Sequence, residues 1–203
     1  QGQVPSVYSR IFYEDGILYL SVQDRNVPEI TTGISYSLDQ MTGDPQGTAT
    51  GIRFDFRDSL MYGTLYYGFI HYNDSKHPLP VYFRSTSPIY KGQAFIDILS
   101  NLSGRYDMIG WQKSGRGTIG YRVVREDGRM LYDGKIGFEG MGPFEIAPTL
   151  IEGPFINLLG KDGATISFQT NMEVAASILV DGRGFTEETP SIHHHIPISG
   201  LEP

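Results

Sequence analysis

Short runs of β-forming residues, separated by glycine-containing turns, limit the folds open to this chain more than any other feature. No stretch of about twelve residues keeps a helical hydrophobic period without an intervening Gly or Pro. The 203 residues include 25 Gly, 12 Pro and 13 Tyr, so turn residues and aromatic strand residues are both frequent. The sequence therefore predicts an all-β fold.

Asp-Gly pairs indicate where hairpins turn. Asp15-Gly16, Asp127-Gly128 and Asp133-Gly134 each lie between β-rich runs, and Gly tolerates the positive φ of a tight hairpin. Each pair predicts a hairpin. Segment 96–102 could form a helical turn, but we assign it to strand and loop. Further strands are predicted over 33–38, 50–56, 62–71, 81–84, 94–99 and 105–111.

Charge and cysteine content exclude several classes of function. The net charge is −7 and no basic run exceeds two residues. We therefore do not expect nucleic acid or anionic membranes as partners, because both are bound through clustered Lys and Arg. The absence of Cys excludes disulfides, thiolate zinc sites and Cys nucleophiles. No apolar run approaches the ~20 residues of a membrane span.

A domain boundary is predicted within 144–153, where Pro148 interrupts a segment with little alternation. We therefore expect two consecutive β-sandwich domains. Residues 1–148 should form a Tyr- and Gly-rich antiparallel sandwich of unknown family. Residues 149–203 should form a second, smaller β-domain.

Four motifs of the second region match one known pattern. They are Gly153-Pro154-Phe155, Thr165-Ile-Ser-Phe-Gln-Thr170, Val180-Asp-Gly182 and Leu201-Glu-Pro203. Together they resemble the N-terminal fibronectin-III-like domain of purple acid phosphatases and related metallophosphoesterases. The resemblance implies a non-catalytic accessory region of an exported phosphatase, with a role in positioning or interaction. It also implies that a signal peptide has been removed, since residues 1–20 contain none.

Two departures from the family pattern affect what is expected. Phe168 stands where the family has Trp, and the strands that complete the sandwich do not follow Pro203. An incomplete sandwich leaves a strand edge open. We expect that edge to be disordered or to pair with another copy of the chain.

The family's catalysis depends on two metal ions in a following domain, which would be the partner of this region. The ligand patterns Asp-x-His, Gly-Asp-x-x-Asp, Gly-Asn-His and Gly-His-x-His do not occur here. No catalytic or cofactor-binding residue is therefore assigned to this chain, and we expect it not to be an enzyme. The parent protein would bind the two metals.

The last strand contains the only histidine cluster of the chain. Alternation places Ile192, His194, Ile196 and Ile198 on one face and His193 and His195 on the other. His193 and His195 are candidate metal ligands, with Glu187 or Glu188 nearby. Because one strand supplies at most two ligands and zinc needs three or four, a structural role is the stronger hypothesis. His194 should be a hydrogen-bonded core residue, and Pro197 predicts a sheet edge.

An alternative function is carbohydrate binding. Trp111 with Tyr66 and Tyr106 could form an aromatic platform on which sugars stack. The competing interpretation is that these rings fill the core of a domain without Cys. An exposed Trp111 would favour the platform, and a buried Trp111 would remove it.

A third hypothesis is a small hydrolase that uses carboxylates of the first region. Asp55 and Asp58 are candidates, yet no calcium-loop spacing is present, and solvated strand-end carboxylates are the simpler interpretation. The letters of Gly115-Arg-Gly-Thr-Ile-Gly120 match a dinucleotide fingerprint. A β-run follows them instead of a helix, so we interpret them as a turn.

Overall fold

The computed structural model describes residues 10–14, 17–22, 25–28, 36–70, 83–104 and 110–201. The chain divides into two compact units, Gln1–Ser37 and Leu38–Pro203. Antiparallel strands dominate each unit, so the all-β, sandwich-like prediction is confirmed. Among the described residues, no helix has both the length and the apolar character needed to cross a bilayer.

The first unit contains a three-stranded antiparallel meander. Its strands are β1 (Ile11–Glu14), β2 (Ile17–Val22) and β3 (Arg25–Pro28). Phe12 lies opposite Tyr19, and the two rings stack with centroids 5.5 Å apart. The strands on either side of Asp15-Gly16 thus pair as predicted, while the two turn residues lie outside the described ranges.

The second unit carries the remaining elements. In chain order these are α1 (Leu38–Thr42), β4 (Gln46–Gly47), β5 (Gly51–Asp55), β6 (Gly63–Phe69), β7 (Ser85–Ile89), β8 (Gln93–Asp97), α2 (Ile98–Asn101), α3 (Trp111–Ser114), β9 (Arg116–Arg125), β10 (Met130–Glu139), β11 (Glu145–Ala147), β12 (Leu150–Asn157), β13 (Gly163–Val180) and β14 (Arg183–Ser199). The predicted strands 50–56, 62–71 and 94–99 correspond to β5, β6 and β8.

Two sheets pack around the main core of this unit. One has the strand order β11-β10-β9-β6-β7 and the other the order β4-β5-β8. Alternate side chains of the strands are buried, as a two-residue period requires. Buried members include Leu65, Tyr67, Phe69, Ile119, Tyr121, Val123, Ile52, Phe54 and Ile96. The rings of Phe54 and Tyr121 join the two sheets, with centroids 5.0 Å apart.

The Asp-Gly pairs behave differently from one another. Asp127-Gly128 turns the chain between β9 and β10, with Gly128 at a φ of 83°. Asp133-Gly134 lies inside β10, so the hairpin predicted there is wrong. Asp133 accepts two hydrogen bonds of 2.6 Å from the guanidinium of Arg122 on β9. Asp133 and Gly134 therefore take part in cross-strand pairing and do not form a turn.

Three predicted strands have other outcomes. Residues 33–35 and 105–109 lie outside the described ranges. The last residues of these two predicted strands, Leu38 and Trp111, begin the helices α1 and α3. Residues 81–82 are also outside, and 83–84 are not in a strand. The assignment of 98–101 to strand and loop is wrong, because α2 forms there. The carboxylate of Asp97 caps it by accepting a 2.9 Å hydrogen bond from the Ser100 N–H.

The third sheet of the second unit has the order β12-β13-β14. The alternating runs 164–170, 174–180 and 192–198 predict three separate strands, but β13 and β14 form one long hairpin that turns at Asp181-Gly182. Its pairing is irregular between Gln169 and Val174. We call the part beyond this irregularity, Val174–Val180 with Arg183–Ser191, the distal arm. β14 lies at the edge of the sheet, as Pro197 predicted.

The predicted domain boundary lies where β11 leads into β12. Thr149 Oγ1 accepts a 2.7 Å hydrogen bond from the Gly137 N–H, and the Thr149 N–H donates to Asn171 Oδ1 at 2.7 Å. Asn171 Nδ2 also donates to the Ala147 carbonyl at 3.3 Å. Polar contacts therefore connect the segments on both sides of residue 148. A division into two domains at this point stays a prediction.

Candidate functional site

Trp111 is a core residue. It begins α3 and is 2% exposed, and its indole N–H donates to the Leu102 carbonyl at 3.2 Å. Phe69, Phe138 and Phe144 surround it, with ring centroids 5.8–6.3 Å away. An indole enclosed in this way has no face to offer a sugar.

The other two members of the expected aromatic platform do not form one without Trp111. Tyr66 is 37% exposed and alternates along β6 with the buried Leu65 and Tyr67, so it faces away from the core that holds Trp111. Tyr106 lies outside the described residues. The structure therefore does not bring Trp111 and Tyr66 together, and the carbohydrate hypothesis loses the ring on which it depended.

His193 and His195 are exposed and lie opposite Gln169 and Ser167 of β13. Across the described ranges, no group of three or more His, Asp or Glu side chains is placed to hold a metal ion. The nearby carboxylate of Glu187 is bonded to His194 instead. Within the part of the chain that the structure describes, these two histidines therefore lack the further ligands that a protein zinc site needs.

His194 is the buried centre of a polar chain that also contains Glu187 and Thr170. It is 0% exposed and stacks on Phe168, with ring centroids 4.5 Å apart. Its Nδ1 lies 2.7 Å from Glu187 Oε2, and its Nε2 lies 3.0 Å from Thr170 Oγ1. The expectation of a hydrogen-bonded core histidine is confirmed by these contacts. These two hydrogen bonds satisfy both ring nitrogens, as a buried imidazole requires.

The hydroxyl of Thr170 has three acceptors within reach. It lies 2.9 Å from the Met172 carbonyl, on the irregular part of β13, 3.0 Å from His194 Nε2 and 3.4 Å from the Ile192 carbonyl. When the hydroxyl donates to a carbonyl, Nε2 must donate to Thr170. When Nε2 carries no proton, the hydroxyl donates to it instead. The imidazole is thus coupled to the backbone at the place where the hairpin pairing changes.

The order carboxylate, imidazole, hydroxyl is also that of a hydrolase triad. Here the hydroxyl belongs to Thr170, which is 5% exposed, and the imidazole is fully buried. A nucleophile must reach its substrate, so this geometry favours a structural role. Alternation alone could predict that His194 points inward, but no sequence signal identified Glu187 and Thr170 as its partners.

The aspartates considered for hydrolysis stabilise turns. Asp55 accepts hydrogen bonds from the Arg57 N–H at 2.9 Å and from Gln93 Nε2 at 2.8 Å. Asp58 Oδ1 accepts from the Leu60 N–H at 2.8 Å. Carboxylates that follow a strand commonly bond the backbone two residues on. Their contacts support the structural interpretation.

Lys135 was not singled out in the sequence, yet it borders several clefts. One cleft has a volume of about 580 Å³ and is lined by both Lys135 and the Arg116–Glu139 ion pair, whose charged atoms are 3.2 Å apart. Two smaller clefts, of about 340 and 150 Å³, also contain Lys135. Ion pairs neutralise Arg116 and Arg122 nearby, whereas Lys135 has no ion pair within the described part of the chain. One lysine side chain in an open cleft is not enough to identify a ligand.

No family model, curated protein or solved structure matches this chain.

Proposed function

We propose that this chain is a non-catalytic accessory region of an exported metallophosphoesterase of the purple acid phosphatase type. In this proposal, the β12–β14 sheet belongs to a fibronectin-III-like domain that positions a catalytic domain. The chemistry is assigned to that other domain, because the ligand patterns of the two-metal site do not occur in this sequence.

The observation that carries the proposal is the order of the third sheet. In immunoglobulin-like sandwiches the first, second and fifth strands lie side by side in one sheet, and the chain crosses to the other sheet between them. β12, the first part of β13 and the last part of β14 have this order. The irregular pairing after Gln169 stands where such a chain leaves the first sheet.

The motif positions agree with this correspondence. Gly153-Pro154-Phe155 lies in β12, Thr165–Thr170 in the first part of β13, and Val180-Asp181-Gly182 at the hairpin turn. Leu201 follows β14, where its N–H donates to the Asp162 carbonyl at 2.9 Å. The positions of these described residues support the proposed correspondence.

Sequencing the gene beyond the codon for Pro203 tests the proposal. We expect the reading frame to continue into a domain with the ligand patterns Asp-x-His, Gly-Asp-x-x-Asp, Gly-Asn-His and Gly-His-x-His. A frame that stops, or that encodes a domain without these patterns, would contradict the phosphatase connection.

An activity assay tests the non-catalytic part separately. The purified chain is incubated with p-nitrophenyl phosphate and Zn²⁺, Mn²⁺ or Fe³⁺. We expect hydrolysis equal to that of the metal alone. Protein-dependent hydrolysis that a chelator abolishes would show that this chain is itself an enzyme.

A further inference from the structure

The polar chain around His194 joins the distal arm to the rest of the hairpin. Glu187 belongs to the arm, whereas Thr170 and His194 belong to the parts of β13 and β14 outside it. Met172, whose carbonyl oxygen lies next to the Thr170 hydroxyl, is in the irregular stretch between Gln169 and Val174. The contacts of His194 therefore hold the arm at its base.

Three short contacts follow one another along this chain, and each needs a hydrogen atom between its two heavy atoms. Thr170 Oγ1 lies 2.9 Å from the Met172 carbonyl oxygen, which can only accept, so the hydroxyl donates to it. His194 Nε2 lies 3.0 Å from the same Oγ1 and must then donate to it. The third contact is the 2.7 Å approach of His194 Nδ1 to Glu187 Oε2.

A neutral imidazole beside an ionised Glu187 cannot supply all three hydrogens, because it has a single N–H. With that hydrogen on Nδ1, the Thr170 hydroxyl must donate to Nε2, and nothing lies between Oγ1 and the Met172 oxygen. With it on Nε2, nothing lies between Nδ1 and Glu187 Oε2. One more proton on the His194–Glu187 pair satisfies every contact. Since imidazole is ordinarily more basic than a carboxylate, that proton belongs to the ring.

The surroundings of the ring suit a positive charge that is paired with Glu187. The Glu187 side chain is 28% exposed, so its carboxylate keeps some contact with water. On β13 the uncharged ring of Phe168 stacks on His194, and the face of an aromatic ring attracts a cation. Among the described residues, Glu187 is the charged group in contact with His194. Alternation directs His193 and His195 to the other face of β14.

We propose that His194 is protonated in the folded chain and that this proton stabilises the distal arm. When the proton leaves for solvent, two hydrogens remain for three contacts, so one contact at the base of the arm is lost. A rise in pH therefore weakens the attachment of the arm. The inference goes beyond the proposed function and does not depend on it.

The direction of the pH effect separates this proposal from an uncharged buried histidine. A folded state that holds the proton binds more protons than an unfolded chain that has released it. Its stability is therefore present at lower pH and is lost as the pH rises. A histidine that is buried without charge predicts the reverse, because it must take up a proton as the pH falls.

NMR of the whole chain measures both the protons on the ring and the stability of the arm. At about pH 5.5 we expect the ¹⁵N shifts of His194 to show hydrogen on both ring nitrogens. Between about pH 5.5 and about pH 8, the exchange protection of the 174–180 amides, corrected for intrinsic exchange, should fall at least about fivefold. A ring nitrogen without hydrogen at the lower pH, or protection that rises with pH, would overturn the proposal.

Glu187→Gln is the decisive variant. The glutamine amide can donate to Nδ1, so a neutral His194 with its hydrogen on Nε2 satisfies all three contacts. Arm protection in this variant should change less than about twofold over the same pH range. Glu188→Gln, the same change at the next and exposed position, should keep the pH dependence of the unchanged chain. If Glu187→Gln folds and keeps that dependence, the proposal is wrong; if it does not fold, the ring shifts of the unchanged chain decide.

Discussion

His194 is fully buried, and the hydrogen bonds of both ring nitrogens offset the cost of removing an imidazole from water. Strand alternation was sufficient to predict that this residue points inward. Its partners could not be predicted in the same way. Thr170 is 24 positions away and reaches His194 across the β13–β14 pairing. Glu187 is seven positions away on the same strand, and it reaches His194 only because the strand is not straight, since seven extended residues span about 23 Å.

Replacing His194 tests the structural role of this polar chain. His194→Ala removes a packed ring and takes the imidazole partner from the carboxylate of Glu187, so we expect a loss of about 2–4 kcal/mol in unfolding free energy. Urea denaturation followed by circular dichroism measures it. The matched change His195→Ala, at an exposed position, should cost less than about 0.5 kcal/mol. Equal effects of the two changes would contradict the role assigned to His194.

Two neighbouring tyrosines give a second test at this scale. Tyr121 Oη donates to the Thr42 carbonyl at 3.0 Å, whereas the buried hydroxyl of Tyr132 has no partner among the described residues. Tyr132→Phe should therefore be neutral or stabilising, and Tyr121→Phe should cost about 1 kcal/mol. Urea unfolding at neutral pH compares them. A larger loss in Tyr132→Phe would reveal a hydrogen bond that the described contacts lack.

Burial raises the pKa of Tyr121 well above its ordinary value of 10.0. The phenol therefore keeps its proton in the folded state at pH values where the unfolded chain loses it. Its contribution is fully present below pH 10.0 and is lost as the pH rises from there through the folded pKa. We expect stability to fall above pH 10 less steeply in Tyr121→Phe than in the unchanged protein. Parallel curves would contradict the raised pKa.

At the scale of elements, local signals identified strands better than they identified connections. Asp127-Gly128 and Asp133-Gly134 have the same turn chemistry, yet only the first pair turns the chain. The difference is in the partner strand, because Arg122 lies opposite Asp133 and binds it. Such a cross-strand ion pair depends on register, which a local pattern does not specify. The same limit applies to β13, because the runs 164–170 and 174–180, which were predicted as separate strands, form one continuous strand.

The placement of Gly134 inside β10 has a measurable consequence. A Cβ there would lie 2.4 Å from the Tyr132 ring and 2.6 Å from the Tyr121 ring. Gly134→Ala should therefore cost about 1–3 kcal/mol through overpacking. Gly184→Ala is the matched control on β14, where nothing lies within 4 Å, and it should be neutral or slightly stabilising. Thermal unfolding measures both, and a neutral Gly134→Ala would contradict the close packing of the Tyr132 and Tyr121 rings against Gly134.

For the whole molecule, composition and turn frequency were enough to predict the all-β class. The strand order β11-β10-β9-β6-β7 was not predictable, because β6 and β9 pair across about fifty residues of intervening chain. The burial of Trp111 depends on the same long-range packing, since Phe69, Phe138 and Phe144 come from distant segments. Trp111, which the sequence alone allowed at a surface, is therefore part of the core.

The boundary predicted at residue 148 can be tested at this scale. The buried aromatic cluster around Trp111 lies before that residue, and hydrogen bonds from Thr149 to Gly137 and from Asn171 to Ala147 cross the boundary. A fragment of residues 38–148 should therefore fold with the blue-shifted fluorescence of a buried Trp111. It should be less stable than residues 38–203 by about 1–3 kcal/mol, because the Gly137 N–H loses its partner Thr149 Oγ1. If the fragment instead shows the emission of an exposed indole without denaturant, the hairpin belongs to the same cooperative fold and the two-domain prediction fails.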